Sequence, residues 1–355
     1  MTQTLELITA VRPRTRRAAE FAAMAEEAGW HGIGFLDNQN LCGDVYVCLA
    51  LAAAATERIQ LSTDVTNPVT RHPAVTAGAI ASIQEVSGGR ASLGIGRGDS
   101  ALAFVGHAPA YTRLLESYLK ALQTYLRGDS VAFGELTPWW REMAPPVDAV
   151  QVADASDESR LRWIDSRDEK VPVYGAATGP RVIGTVAKHA DIVMFALGAD
   201  IERLRWGLQQ ARAARREAGL DPDGVRYGAY LNVVCHAESE SAPDTIPFLD
   251  TFVRFSTLHG KTHGPATKAA KELFASAHEG YRMWDRGPSL DVSAEFVDRF
   301  AIVGPPDTCI RRIQEIVDLG IDRIVVMGPT VDDTDDAPKR YAELMVREVL
   351  PALAN

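Results

Sequence analysis

Apolar and polar residues change their period repeatedly along this chain. Short runs rich in Val, Ile, Leu and Tyr each give way to a longer stretch whose apolar positions recur at helical spacing, the alternation of βα units. Strands are expected at residues 5–11, 31–36, 61–65, 91–95, 171–177, 191–197, 225–236 and 321–327. Helices are expected at 15–28, stopped by Gly29, and at 44–55, opened by Asp44. A third, at 73–86, has Pro73 in its first turn and Gly88-Gly89 past its end, and a fourth runs over 110–126. Others start at Pro180 and span 200–218 and 338–349. Alternation from end to end predicts an α/β fold, a single (β/α)8 TIM barrel over 1–355, rather than an open sheet.

Two segments exceed what a barrel needs. Residues 128–170 join a helix to a strand, so topology puts this insertion on the face opposite the site, with Trp139-Trp140 as a packing anchor. Residues 237–320 leave the seventh strand on the face where barrel sites lie. They hold helical stretches at 251–276 and 306–319, with His259 and His263, and suit a lid or substrate loop.

Composition narrows the class. A 355-residue chain that is 46% apolar can bury a large core. Its net charge of −10 and the absence of a basic patch interleaved with aromatics argue against nucleic acid; Arg203 to Arg216, flanked by Glu202 and Glu217, reads as a solvated helix face. Cys42, Cys48, Cys235 and Cys309 form neither a C-x-x-C pair nor a metal spacing, and read as buried thiols in a reducing compartment. No signal peptide opens the sequence, and its longest apolar run, 45–55, is too short for a membrane, so a cytoplasmic protein is expected. No metal is expected.

The chemistry gathers where strands end. Asp37-Asn38 follows strand two, and the next helix starts only at Asp44, which leaves Asp37 available to a ligand. Asp64, Val65, Thr66 and Asn67 make strand three polar at its end, before the Asn67-Pro68 turn. Gly96, Arg97, Gly98, Asp99 and Ser100 follow strand four as a glycine-rich loop fit to cradle a phosphate, with Arg97 adding charge; a plain tight turn is the competing reading. Ala176, Ala177, Thr178, Gly179 and Pro180 lead from strand five into a helix N-terminus, a second anion or ribityl contact or else a simple turn. His72 reads as a helix cap or a catalytic group, and Tyr46 and His236 as substrate-side candidates.

The run Thr66 to Ala77, TNPVTRHPAVTA, followed by Ser87-Gly88-Gly89-Arg90 and Leu93-Gly94-Ile95-Gly96, resembles the bacterial luciferase-like superfamily and, within it, the F420-dependent methylenetetrahydromethanopterin reductase branch. The resemblance implies a barrel that binds the deazaflavin coenzyme F420, or FMN, at its C-terminal mouth. Asp37 would lie beside the ring, Asp64-Val65 would be a non-prolyl cis peptide backing it, and Thr66 and Asn67 would touch the ring or its ribityl chain. Gly96 to Ser100 and Ala176 to Pro180 would hold the phosphate side.

Two positions depart from that pattern. Asn38 stands where relatives often carry His, and strand one ends Ile8-Thr9-Ala10-Val11 without the Glu that some have. The usual proton donors are missing, which leaves Asp37, Tyr46 and His72. The reading is hydride transfer from reduced F420 to a C=C, C=N or C=O bond of a small organic substrate. The alternatives are an FMN-dependent monooxygenase and a non-enzymatic flavin-binding protein. Because 45–55 (VYVCLALAAAA) is apolar all round, a homodimer through helices 44–56 and 73–87 is expected, unless an insertion folds over that patch.

Overall fold

The computed structural model describes residues 4–140, 144–153, 155–165, 169–237, 262–280, 282, 292–330 and 336–354. Its parallel strands are β1 (Glu6–Val11), β2 (Gly32–Phe35), β3 (Gln60–Thr66), β4 (Ala91–Ile95), β5 (Val173–Ala177), β6 (Ile192–Phe195), β7 (Arg226–Cys235) and β8 (Arg323–Met327). Each pairs with the next, and β8 pairs back onto β1, so the sheet closes as a barrel. A further short strand, Ile302–Gly304, lies parallel to the end of β7, where that strand parts from β8.

Outside lie α1 (Ala18–Glu27), α2 (Val45–Ala55), α3 (Pro73–Ser87), α4 (Thr112–Leu126), α5 (Pro180–His189), α6 (Ile201–Glu217), α7 (Pro306–Val317) and α8 (Asp336–Leu344). Their starts have local causes. Asp44 Oδ1 accepts from the Tyr46 and Val47 amides at the head of α2, and Asp200 Oδ1 caps α6 in the same way. Pro73, Pro180 and Pro306 sit in first turns, and Gly88 closes α3 in the left-handed region at φ 67°.

Three expectations need correction. The stretch expected at 306–319 inside the second insertion is α7, a helix of the barrel itself. Of the stretch expected at 251–276, residues 251–261 lie outside the described residues, and the helix found is Lys268–Glu279. The first insertion does not stay on the far face. It starts there with the hairpin Val131–Ala132 and Glu158–Ser159, yet reaches the site face, where Trp139 Nε1 donates to the Pro68 carbonyl (3.2 Å) and its ring meets His72 and Tyr118 edge-on. Trp139 is the packing anchor the sequence suggested, at an unexpected height.

Inside the barrel, side chains stack in layers because strand residues alternate faces. At the N-terminal end Arg323, itself 2% exposed, bonds Glu6 (2.5 Å), Gln60 (2.9 Å) and Ser92 (3.3 Å) from three other strands. Above it pack Ile8, Tyr174, Ile192, Met194, Tyr230 and Val325. The layer at the C-terminal end is only half-buried and, apart from Met327, built of small side chains: Ala10, Val65, Ala176 and Ala196. That leaves a mouth. Its β6–β8 side is overlaid by the second insertion, whose cluster of Phe274, Phe296 and Phe300 also packs against Met327.

Candidate functional site

Asp37, just past β2, is the hub of the mouth's polar wall. Its Oδ2 accepts from Thr66 Oγ1 (2.7 Å) and from Arg71 (3.3 Å), and its Oδ1 accepts from Gln39 (2.7 Å). Burial raises its pKa, against the pull of Thr66 and Arg71. Arg71 also bonds Asp44 (2.5 Å) and lies over the Tyr46 ring, 4.8 Å from its centroid. One guanidinium thus ties the loop after β3 to the loop after β2 and the head of α2. The sequence placed Arg71 only beside His72 and missed this role, because the fold alone brings two distant carboxylates to it. Tyr46 is buried, and burial followed by the Asp37 charge pushes its hydroxyl pKa up.

The end of β3 takes the form the resemblance implies. The Asp64-Val65 peptide is cis, and the β3–β4 register shifts between Thr63 and Thr66. Thr63 Oγ1 fills the gap by accepting from the Gly94 amide (2.9 Å) and lying 2.7 Å from the Gly94 carbonyl. Asn67 Oδ1 then accepts from the Val69 and Thr70 amides, a side-chain turn that sends the chain over the mouth.

The loop after β4 is tight because its glycines are needed. A Cβ on Gly98 (φ 80°) would meet Asn67 Cβ at 2.7 Å, and one on Gly96 would lie 3.0 Å from Val65 Cγ2 and 3.6 Å from Ala176 Cβ, inside the mouth. Asp99 and Ser100 belong to a short helix, Asp99–Ala103. Arg97 braces the loop: its Nε donates to the Ala110 carbonyl (2.5 Å) and its Nη2 to the Pro109 carbonyl (3.2 Å), which leaves other N–H groups of the guanidinium for a ligand. Across the mouth, α5 starts at Gly179 with no side-chain cap, and the ring of His263 lies against that glycine. Thr178 Oγ1 is 3.5 Å from the Ala196 carbonyl.

The remaining candidates sort by geometry. His72 caps α3 through Nδ1 (3.2 Å from the Ala74 amide), and burial lowers its pKa, which fits the capping reading. His236 follows β7, with Nδ1 2.8 Å from the Ala237 carbonyl. Among the described residues, three buried amide atoms around the mouth have no hydrogen-bond partner: Asn38 Oδ1, Asn67 Nδ2 and Asn232 Nδ2. Such atoms are costly unless a ligand completes them. Asn232 sits two residues past the inward Tyr230 and so faces inward as well; nothing in its sequence surroundings marked it. Among the described residues, no cluster of His, Cys, Asp or Glu could hold a metal ion.

A barrel whose mouth is walled by strand-end loops, with a non-prolyl cis peptide at the end of β3, defines a class of ligand-binding (β/α)8 proteins. The chain belongs to the luciferase-like monooxygenase family, whose model matches residues 2–323. It is 27% identical over 330 residues to 5,10-methylenetetrahydromethanopterin reductase of Methanolobus tindarius, covering 91% of this chain and 93% of that one. It is 26% identical over 365 residues to F420-dependent glucose-6-phosphate dehydrogenase of Amycolatopsis mediterranei, covering 95% and 94%. Solved structures share the fold. The F420-dependent tetrahydromethanopterin reductase from Methanopyrus kandleri has a TM-score of 0.69 at 21% identity, covering 99% of this chain and 100% of that one. The monooxygenase RslO1 from Streptomyces bottropensis has a TM-score of 0.64 at 19% identity, covering 98% and 99%.

Proposed function

We propose that this protein is an F420-dependent oxidoreductase that transfers hydride to a C=C, C=N or C=O bond of a small organic substrate. One observation carries the reading. The mouth is lined mostly by small groups, Ala10, Val65, Gly96, Ala176 and Ala196, with Met327 on the β8 side, which leaves space for a planar ring, and amide atoms of Asn38 and Asn67 without a partner among the described residues sit at its wall. Whole-length similarity to an F420-dependent glucose-6-phosphate dehydrogenase supports the choice of cofactor.

When bound, the deazaflavin supplies the hydride. Val65 and Gly96 would back the ring, and Asn38 and Asn67 would bond its polar edges. The backbone of Gly96 to Ser100 and the open N-terminus of α5 at Gly179 would hold the phosphate side. Asp37, whose Oδ2 accepts from Thr66 and Arg71 and whose Oδ1 accepts from Gln39, would be the group that passes a proton to substrate. Tyr46 and His236 belong to the substrate side in this reading. Oxygen uptake separates it from FMN-dependent monooxygenation: protein with reduced F420 consumes none, whereas rapid uptake with reduced FMN would favour the alternative.

The same reading includes a homodimer. Val47 and Leu51 on α2 and Val75 on α3 are exposed, 41–55% each, on an outer surface without charge between them. Among the described residues, the first insertion touches α3 and its ends at His72 through Trp139, at Gly78 through Leu161 and at Gln84 through Glu169. Val47 and Leu51 of α2 stay exposed among the described residues.

A further inference from the structure

One buried amide at the mouth has no part in the cofactor reading. Asn232 lies near the end of β7, 3% exposed, and its Nδ2 has no hydrogen-bond partner among the described residues. Two residues earlier on the same strand, Tyr230 points into the barrel and meets Asp64 of β3 across it, its hydroxyl 3.1 Å from Oδ1. Alternation puts the Asn232 side chain on that inner face too, one layer nearer the mouth. Its register partner on β8 is Met327, and Ala196 fills the same layer from β6.

Closure of the barrel gives that position its meaning. In a ring of eight strands β7 stands opposite β3, four strands away in either direction. Val65 and Gly96, the residues that would back the ring, belong to β3 and to the loop after β4. Asn38 and Asn67, which would bond its edges, follow β2 and β3. Asn232 is therefore the amide of the far wall, and it faces the open side of the ring site. A group that receives hydride has to lie between these two walls. An N–H buried there without an acceptor is costly until a ligand supplies a lone pair.

The chemistry of the far wall narrows the ligand. Nδ2 is an uncharged donor, and the inward side chains beside it, Ala196, Tyr230 and Met327, carry no cation. A carboxylate or phosphate seated there would give up its water without gaining a counter-charge. A neutral carbonyl oxygen would gain the hydrogen bond it needs while its apolar body packs on Met327 and Ala196. Resting on the cofactor reading above, we propose that Asn232 is the substrate anchor of this site, and that the substrate is an uncharged carbonyl compound whose oxygen accepts from Asn232 Nδ2. Asn232 fixes where the substrate lies on the open side of the ring site and takes no part in holding the ring.

The test uses protein saturated with oxidised F420, which has no hydride to give, so that binding alone is read. The probes are cyclohex-2-enone, which is uncharged, and cyclohex-1-ene-1-carboxylate, an anion of similar size, each titrated by saturation-transfer NMR. Wild type binds the enone, and binds the carboxylate about tenfold more weakly. Asn232→Leu keeps the volume and removes the donor. It weakens the enone about five- to tenfold, the loss of one neutral hydrogen bond, and leaves the F420 dissociation constant within about twofold of wild type. Its melting temperature is no lower than that of wild type, because Nδ2 has no protein partner to lose. Asn232→Gln keeps the amide and retains part of the enone affinity. No enone binding, an enone affinity unchanged in Asn232→Leu, or a preference for the carboxylate overturns the proposal and leaves the cofactor reading standing. A fall in F420 affinity in Asn232→Leu overturns it as well, by assigning the amide to the ring. Failure of wild type to bind F420 overturns the cofactor reading and the proposal with it.

Discussion

Asp64, buried inside the barrel, makes a claim on stability. Its folded pKa of about 6 lies above the ordinary 3.8, so between those values the unfolded chain releases its proton while the folded one keeps it. Stability therefore falls as pH rises through that window, by about 2–4 kcal/mol in all, and levels off above it. Urea unfolding of wild type and Asp64→Asn at pH 4.5 and 7.5 checks the sign: the variant gains on wild type at the higher pH. Arg97→Ala unbinds the carbonyls of Pro109 and Ala110 and should cost about 1–3 kcal/mol of stability, read from the same experiment. A wild-type stability with weakened cofactor affinity would return Arg97 to the phosphate role that the glycine-rich loop suggested. At this scale the sequence showed which residues end strands, and the structure brings Asp37, Asn38, Asp64, Thr66 and Asn67 together at the C-terminal ends of β2 and β3. It could not show which protein groups Arg71 and Arg97 bond, because those carboxylates and carbonyls are delivered only by tertiary closure.

Elements were legible where period and caps agreed. Asp44, Pro73 and Gly88 mark helix ends that the structure keeps, and the β-rich runs became barrel strands with ends shifted by a residue or two. The misplacement of α7 has a physical reason. A long insertion between β7 and its helix hides which amphipathic stretch packs on the barrel, and periodicity alone does not tell a barrel helix from a lid helix. The path of the first insertion was illegible for the same reason: chain direction fixes where it starts, whereas Trp139 decides how far it climbs. The apolar character of α2 carries its own prediction. Leu51→Glu places a charge on the exposed face beside Val47 and should convert a dimer to a 38.5 kDa monomer in sedimentation equilibrium, with the circular dichroism of the fold retained. A wild-type protein already monomeric at micromolar concentration would refute the interface.

The whole barrel is graded along its axis: a charged plug at one end, large side chains at the middle, small ones at the mouth. Arg323 holds the plug together from β8, with Glu6, Gln60 and Ser92 of three other strands as its partners. Arg323→Leu leaves Glu6 buried with only Arg226 beside it and should cost about 3–5 kcal/mol, measured by denaturant unfolding. That grading is why a ring has room only at the C-terminal end, among the loops whose residues the sequence singled out. The central claim is that this mouth is a deazaflavin site. It is tested most directly by following the absorbance and fluorescence of F420 as purified protein is added, with FMN in parallel. The account predicts a saturable spectral change at one F420 per chain, lost in Gly98→Val, whose side chain would collide with Asn67. An unchanged F420 spectrum at saturating protein would contradict it.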